Sequence, residues 1–434
     1  MSDWRHADIA TLHAAYGQGA VTARAVTAHF LDRIRRHNPQ LHAFIEVDEA
    51  GALDAAAESD RRIREGALRP LEGIPVAVKS NIAVRGLSWN AGMELRRHII
   101  AAEDAETVAR LRHAGAVILG TLNMHEAALG ATTANPWFGH AMNPHRPGHT
   151  PGGSSGGSGA AVAAGLCVAA LGTDTLGSVR IPAAYNGVYG IKPTQGAVSD
   201  DGLVPLSTWL DCIGPLARTL DDLDRMLRVL TDVKPAAGPR RLLVLGQLEE
   251  GCEPEIVAAY ERALAALPLK PEALALPHSL AEIRFAGFVE TARELTRHLG
   301  SSIETDADRI SRELHFLLGV ARKKESEYPA LYAVLQATRD AIRAAIGQDG
   351  ILLTPTTPQA AFVHCDRPPA TQASFTALAN IAGLPAISIP AGVNGDGLPV
   401  AVQAIGWPGS EAALIELARQ LETELGGSII PALA

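Results

Sequence analysis

The sequence predicts an α/β fold in which helices cover both faces of a central mixed β-sheet. Short apolar, β-branched runs bounded by glycine indicate buried strands. Segments with helical periodicity alternate with these runs, and that alternation favours a parallel or mixed sheet. The 434 residues are 47% hydrophobic and 20% charged, a composition typical of a globular chain with a large core.

The N-terminal residues 1–66 are predicted to be helical and to pack on the outside of the domain. Thr22 can cap a helix whose apolar residues recur at four-residue spacing, as Val26 and Phe30 do. The alanine-rich residues 50–64 continue the same pattern.

The first predicted strand is the apolar run at residues 73–78, which ends at Lys79. A helix over 105–113 and a strand over 116–119 follow. Residues 123–150 are predicted to be a loop, because Asn-Pro and Arg-Pro pairs mark turns there.

Two glycine-rich loops that carry serine dominate the middle of the chain. They are residues 151–158 (PGGSSGGS) and 172–178 (GTDTLGS), on either side of the apolar residues 159–171. The apolar stretch is too short to span a bilayer and predicts a buried helix that runs into a buried strand. Because glycine lets a ligand approach backbone N–H groups closely, the two loops indicate a functional site.

The remaining chain is predicted to contain a linker at 232–240 between a first and a second α/β section. The predicted elements are a helix over 220–230, a strand over 242–245, helices up to residue 346, strands over 351–353, 386–389 and 400–405, and helices over 375–381 and 411–425. We expect a single domain over 1–434, made of N-terminal helices (1–66), a core (67–232), a mostly helical section that shapes the binding pocket (240–348) and a C-terminal α/β part that completes the sheet (349–434). The helical section would be an excursion from that sheet.

Charge and composition exclude several classes of function. The net charge of −9, without a basic cluster, argues against nucleic acid or an anionic membrane as a partner. The N-terminal residues lack the apolar core of a signal peptide, and no apolar stretch is long enough for a membrane span, so we expect a cytoplasmic protein. The four cysteines lack CxxC spacing and are expected to be reduced thiols.

Several common functional motifs are incomplete or poorly placed in this sequence. Residues 152–156 match G-x-S-x-G, but the prolines before them disfavour the strand that a nucleophile elbow requires. Val162 replaces the third glycine of a dinucleotide fingerprint, and no Gly-Lys pair completes a phosphate loop. His125 is not followed by the second histidine of a zinc-protease helix. A proline-rich loop carries three more histidines that are expected to be surface or hydrogen-bonding residues, and no metal is predicted at His140, His145 and His149.

Lys79 is a candidate base. A serine must be activated before it attacks a carbonyl, and a lysine can accept its proton once burial has lowered the lysine pKa. Lys79 follows an apolar strand, where burial is expected, although a lysine at a strand end can equally be a solvated cap.

In combination, these features resemble the amidase signature family, the Ser-Ser-Lys amidohydrolases. The resemblance rests on the strand that ends in Lys79, on GGSSGGS and on GTDTLGSVRIP. It covers most of the chain, because further motifs occur in the family's order: TLNMHEAALG, GVYGIKPT, DCIGPLART, ILLTPTTP, GLPAISIPAG and GLPVAVQAIG.

The resemblance implies a role for each residue of a catalytic triad. Ser178 would attack the amide carbonyl and form an acyl-enzyme. Ser154, usually held by a cis peptide bond in the family, would relay a proton between Ser178 and neutral Lys79. Backbone N–H groups of four residues would form the oxyanion hole, namely Thr175, Leu176, Gly177 and Ser178.

Neighbouring residues would support this site. The resemblance implies that Ser155 makes supporting hydrogen bonds. Asp174 and Arg180 would brace the loop, or Arg180 would meet a substrate carboxylate. Two positions depart from the family pattern: Leu176 replaces a common glycine and is expected to narrow the acyl pocket, and Ser80 replaces an aspartate beside the lysine.

The function implied is hydrolysis of a linear carboxamide or ureide C–N bond in a small molecule, without metal or organic cofactor. The D-T-x-G-S-x-R-x-P loop resembles that of allophanate and carboxybiuret hydrolases, which favours small acid-bearing substrates. The alternatives are the glutamine-hydrolysing subunit of an amidotransferase complex and a scaffold subunit that is catalytically silent. The expected partner is a second copy of the chain in a homodimer or a small accessory subunit, with no nucleic acid and no membrane.

Overall fold

An eleven-stranded mixed β-sheet runs through the protein and is flanked by helices in the computed structural model, which describes residues 4–249, 251–365 and 367–433. The helices of these ranges are α1 (Ile9–Gly17), α2 (Ala23–Leu41), α3 (Glu49–Arg64), α4 (Glu106–His113), α5 (Gly156–Ala163), α6 (Arg180–Asn186), α7 (Leu220–Leu230), α8 (Pro254–Ala265), α9 (Leu280–Leu299), α10 (Ser302–Thr305), α11 (Arg312–Lys323), α12 (Tyr328–Ile346), α13 (Ala377–Ala382) and α14 (Glu411–Leu425). The strands are β1 (Phe44–Val47), β2 (Pro75–Lys79), β3 (Val117–Leu122), β4 (Ala134–Asn135), β5 (Gly139–His140), β6 (Ala169–Thr173), β7 (Tyr189–Lys192), β8 (Ile213–Ala217), β9 (Arg241–Leu245), β10 (Pro271–Leu274), β11 (Gly350–Pro355), β12 (Ala386–Val393) and β13 (Pro399–Ile405).

The order of strands in the large sheet is β1-β3-β2-β6-β8-β7-β12-β13-β11-β9-β10, and β4 pairs with β5 in a separate hairpin. Strand β2 is parallel to both of its neighbours, β3 and β6, whereas β6, β8, β7, β12 and β13 are joined in antiparallel pairs. The predicted α/β fold with a mixed sheet is therefore confirmed.

The central strands form where the sequence is apolar without alternation. Every residue of β2, β3 and β6 is buried, as expected for strands that are covered on both faces. On the outside, Thr22 caps α2 as predicted, because its Oγ1 accepts a hydrogen bond of 3.1 Å from the N–H of Ala25. Val26 and Phe30 of α2 are fully buried.

Two predictions about the sheet were wrong. Residues 1–66 include a strand, β1, which pairs antiparallel with β3 at one edge of the sheet. The section 240–348 was predicted to lie outside the sheet, but it contributes two strands to it. Strand β9 pairs with β11, and β10 pairs with β9 at the opposite edge of the sheet. Strand β10 has the sequence PEAL and three exposed residues, so main-chain pairing rather than a side-chain pattern holds it in the sheet.

No helix among the described residues is long and apolar enough to cross a membrane.

Candidate active site

The site lies where β2 and β6 end at the same edge of the sheet. The two strands are parallel, with Val78 opposite Leu171, so their carboxyl ends bring Lys79 and Thr173 together. Between the two glycine-rich loops, α5 runs towards β6, as the apolar stretch predicts. The hydroxyl of Ser158 on α5 donates a hydrogen bond of 3.0 Å to the carbonyl of Leu171, which joins the helix to the strand.

Lys79 is fully buried, and its ammonium nitrogen contacts two hydroxyl groups. Its Nζ lies 2.7 Å from Ser154 Oγ and 2.7 Å from Thr173 Oγ1. The amide of Asn81 also donates to Thr173 Oγ1, at 3.2 Å. Lys79 therefore ends a chain of neutral polar groups, and no carboxylate accepts a hydrogen bond from its Nζ in the part of the chain that the structure describes.

This environment changes the proton affinity of the lysine. Burial lowers the pKa of Lys79 to about 7, although the negative charges of Asp211 and Asp174 oppose the shift. A large fraction of Lys79 is consequently neutral near pH 7 and able to accept a proton. Ser80, the next residue, is buried and supplies no charge.

The first glycine-rich loop presents two serines with different contacts. The peptide bond between Gly153 and Ser154 is cis. Ser155 Oγ donates a hydrogen bond of 3.1 Å to the carbonyl of Thr173 and accepts one of 3.2 Å from its N–H. The N–H of Ser155 donates to the carbonyl of Ser178 at 3.3 Å. Ser155 thus links the end of β6 to both loops.

Ser178 lies at the surface of a cavity of about 550 Å³, with 9% of the residue exposed. Its hydroxyl forms no hydrogen bond with Ser154 Oγ among the described residues. The arrangement therefore contains the Ser154–Lys79 contact but not the Ser178–Ser154 hydrogen bond. Catalytic hydrogen bonds commonly shorten only when substrate binds.

The second loop is shaped by Asp174, which is fully buried. Its carboxylate accepts hydrogen bonds from the N–H of Gly177 at 2.8 Å and of Val179 at 3.1 Å. Gly177 was predicted to point its N–H into an oxyanion hole, and this prediction was wrong, because that N–H is used by Asp174. Within the described residues no acceptor contacts the other three predicted donors, the N–H groups of Thr175, Leu176 and Ser178.

Arg180 supports the same loop and is fully buried. A guanidinium has five N–H donors, and here each has an acceptor. Two bonds go to the Asp174 carboxylate, at 3.0 and 2.9 Å, and the others go to Asn380 Oδ1 at 2.6 Å, the carbonyl of Thr376 at 2.9 Å and Gln403 Oε1 at 2.8 Å. Of the two roles predicted for Arg180, the geometry fits bracing and leaves no donor for a substrate carboxylate.

This ion pair governs the protonation of Asp174. Burial by itself would raise the pKa of Asp174, but the charge of Arg180 and its hydrogen bonds outweigh burial and hold the pKa at about 2. Asp174 is therefore ionised throughout the physiological range and remains able to accept the N–H groups of the loop.

The cavity beside Ser178 is mostly apolar, with a few charged groups on its walls. Helices α9 and α11 supply much of the apolar surface, with Phe285, Phe288, Phe316, Leu317 and Val320. The charged or titratable side chains on the walls are His125, Arg284, Glu313 and Arg367. Burial lowers the pKa of His125 to about 4, with smaller effects from His364, Lys79 and His140, so its ring is neutral near pH 7.

The predicted histidine loop lies outside this cavity. His145 Nε2 is 3.0 Å from the carbonyl of Asn186, and the rings of His140 and His364 are 5.2 Å apart. Among the described residues, no three His, Cys, Asp or Glu side chains form a group that could hold a metal ion.

Sequence reasoning missed three residues that shape the site. Thr173 contacts Lys79, Asp211 accepts a hydrogen bond of 2.5 Å from Thr175 Oγ1, and Asn380 donates to the Asp174 carboxylate at 2.9 Å. Thr173 could have been identified from its place at the end of a buried strand beside the GTDT motif. Asn380 lies on α13, some 200 residues further along, and no local pattern marks it.

The fold and these loops are those of a class of enzyme that hydrolyses amide C–N bonds. A family model described as Amidase matches residues 25–250 and 257–415, and the chain belongs to this family. The predicted family and the predicted amide-hydrolysing activity are both confirmed.

Relatives support the same assignment. A Glutamyl-tRNA(Gln) amidotransferase subunit from Synechococcus sp. (strain WH7803) is 34% identical, covering 93% of this chain and 94% of that protein. A structure described as a vestigial protein complex that reveals the evolutionary origins of an s-triazine catabolic enzyme has a TM-score of 0.90 at 30% identity, covering 98% of this chain and 100% of the other. The native peptide amidase from Stenotrophomonas maltophilia has a TM-score of 0.83 at 30% identity, covering 99% of each chain.

The Asp174–Arg180 ion pair leads to a prediction about stability. Asp174→Asn removes the charge that compensates a buried guanidinium, and we expect the free energy of unfolding to fall by about 3–5 kcal/mol. Urea denaturation measures the loss. The matched control is Asp396→Asn. Asp396 pairs with Arg146, and their side chains are 67% and 45% exposed, respectively. For this variant we expect the free energy of unfolding to fall by less than about 1 kcal/mol. An equal loss in both variants would contradict the role assigned to the buried pair.

Proposed function

We propose that the protein hydrolyses a carboxamide through an acyl-enzyme on Ser178, with Ser154 as the proton relay and Lys79 as the base. The observation that carries this proposal is the buried Lys79, whose Nζ lies 2.7 Å from Ser154 Oγ and whose pKa is lowered to about 7 by burial. Lys192 is also fully buried, but its Nζ donates to the carbonyl of Pro193 at 2.7 Å, whereas the Nζ of Lys79 contacts a serine hydroxyl of the first glycine-rich loop.

In the proposed reaction a proton passes from Ser178 through Ser154 to Lys79 and later returns by the same route. Ser178 Oγ attacks the carbonyl carbon while its proton passes to Ser154, and the proton of Ser154 passes to neutral Lys79. The N–H groups of Thr175, Leu176 and Ser178 stabilise the negative oxygen that develops. The proton returns through Ser154 to the leaving nitrogen as the C–N bond breaks. Water then attacks the acyl-enzyme by the same relay and releases the carboxylic acid.

For the substrate, we infer an amino-acid carboxamide of the glutamine type, with ammonia released to a partner protein. Relatives named as subunits of Glutamyl-tRNA(Gln) amidotransferase support this alternative over the expected preference for allophanate or carboxybiuret. The charged groups on the cavity walls suit such a substrate: Arg367 can attract an α-carboxylate and Glu313 an α-ammonium, whereas Arg284 is already paired with Glu249 at 3.5 Å. The apolar walls would contact the methylene groups between them. The proposed partner is a small accessory subunit.

A second candidate is a partner-independent amidase for larger apolar carboxamides. The observation in its favour is the cavity itself, whose 550 Å³ and exposed Phe316 suit a bulky apolar group. The peptide amidase from Stenotrophomonas maltophilia lends the same support. A silent scaffold is disfavoured, because it would have no physical reason to keep Lys79, Ser154 and Ser178 together.

The proposed nucleophile can be tested by covalent labelling. A fluorophosphonate should add once per chain at Ser178, as read by intact-protein and peptide mass spectrometry. Ser178→Ala should abolish labelling, and Lys79→Ala and Ser154→Ala should slow it by about 100-fold or more. The control is Ser301→Ala, which removes an exposed hydroxyl that caps no helix and should label at the wild-type rate. Labelling at Ser154 or Ser155 would instead favour the nucleophile elbow.

The proposed base leads to a prediction about pH. Because Lys79 must be neutral to accept a proton, kcat/KM should rise as pH passes through about 7 and reach a plateau near pH 9. Asp211 raises the pKa of Lys79, so Asp211→Asn should move the midpoint to lower pH. Asp396→Asn is the control for a distant charge. A profile that falls from pH 6 to pH 9 while the circular dichroism stays native would exclude Lys79 as the base.

The proposed substrate can be separated from the second candidate with two compounds. We expect ammonia release from L-glutamine to have a higher kcat/KM than release from an amidated dipeptide. Arg367→Gln should raise the KM for glutamine by about 10-fold, because a charged hydrogen bond is lost. The control is Arg322→Gln on α11, whose side chain is 63% exposed. Preference for the amidated dipeptide would favour the partner-independent amidase.

A further inference from the structure

Leu176 lines the cavity together with Ser178, and its side chain lies close to Gly287 of helix α9. It lines the cavity two residues before Ser178, and its carbonyl accepts a hydrogen bond of 2.7 Å from Thr376 Oγ1. The side chain is partly buried against the core. Leu176 and Ser178 thus line the same cavity, through which a substrate carbonyl would reach Ser178.

The residue of α9 that faces Leu176 is a glycine. A Cβ atom placed on Gly287 would lie 3.1 Å from Leu176 Cδ2 and 3.4 Å from Cδ1, with Ile381 Cδ1 next at 3.9 Å. Contacts as short as 3.1 Å require the neighbour to move. A side chain at position 287 would therefore displace Leu176, which lines the cavity.

Backbone geometry does not explain this glycine. Gly287 lies in the interior of α9, which extends over Leu280–Leu299, and its φ is not in the left-handed region. Glycine at such a position destabilises a helix by about 1 kcal/mol relative to alanine. Space for Leu176 is the physical reason that the structure offers for keeping it.

We propose that the Leu176–Gly287 contact determines which acyl groups reach Ser178, by admitting carboxamides with an unbranched carbon next to the carbonyl and excluding branched ones. The inference rests on the proposed acyl-enzyme at Ser178 and adds a specificity determinant to it. Glutamine carries a methylene at this position and fits the rule. Gly287 acts through Leu176 and is a positioning residue.

The test compares two activated esters of equal size, p-nitrophenyl butyrate and p-nitrophenyl isobutyrate, by the rate of p-nitrophenol release during acylation. Leu176→Ala keeps its backbone N–H and should raise the isobutyrate/butyrate ratio of rates by about 10-fold or more, since one methyl group in an apolar pocket discriminates by that much. Gly287→Ala should lower the ratio several-fold. In the double variant the two effects should not add, because the residues are in contact.

The control is Gly319→Ala in helix α11, where a new Cβ would meet nothing within 4 Å. Gly319→Ala changes helix propensity as Gly287→Ala does. It should leave the isobutyrate/butyrate ratio of rates at the wild-type value. A loss of packing alone would slow both esters equally and keep the ratio constant, which would overturn the inference. If Gly287→Ala does not fold, the ratio for Leu176→Ala decides by itself. Absence of Ser178-dependent acylation of the wild type by either ester would overturn the proposed function, and this inference with it.

Discussion

The buried ion pair between Asp174 and Arg180 is the constraint on which the site depends. Both side chains are fully buried, so the cost of removing two charges from water must be offset by hydrogen bonds on every side. Arg180 finds its remaining acceptors on α13 and β13 and just before α13, at Asn380, Gln403 and Thr376. The loop that carries Ser178 is therefore tied through Arg180 to the C-terminal part of the chain.

Lys79 is a second buried basic residue in the same region, but no carboxylate of the described residues is in direct contact with it. An arginine keeps its charge at all accessible pH values and needs acceptors for its N–H groups when buried, whereas a lysine can give up its proton when its charge is not compensated. Arg180 has a carboxylate in direct contact, and Lys79 has only two hydroxyl groups at 2.7 Å. The contrast between the two partners explains why one cation stabilises a loop and the other is suited to accept a proton.

The sequence correctly predicted the elements whose formation depends on neighbouring residues in the chain. Helix α7 has the predicted bounds because it combines a Thr219 cap with a strongly amphipathic sequence, and Lys79 was found because an apolar strand precedes it. Strand β10 was missed because it is held by backbone pairing and three of its four residues are exposed, so no buried side-chain pattern marks it. The direction of the Gly177 N–H and the contact with Asn380 depend on how distant segments meet, and no spacing in the sequence records that.

The same distinction applies to the groups that could recognise an acid-bearing substrate. The preference for acid-bearing substrates rested on the form of the second glycine-rich loop, and a free Arg180 would have given it a recognition group. All five donors of Arg180 are used inside the protein. The cations that do line the cavity, Arg284 and Arg367, come from α9 and from the segment after β11. The residues proposed for acylation and the charged residues of the cavity walls thus belong to different parts of the fold, so that the second set can change while the first is kept.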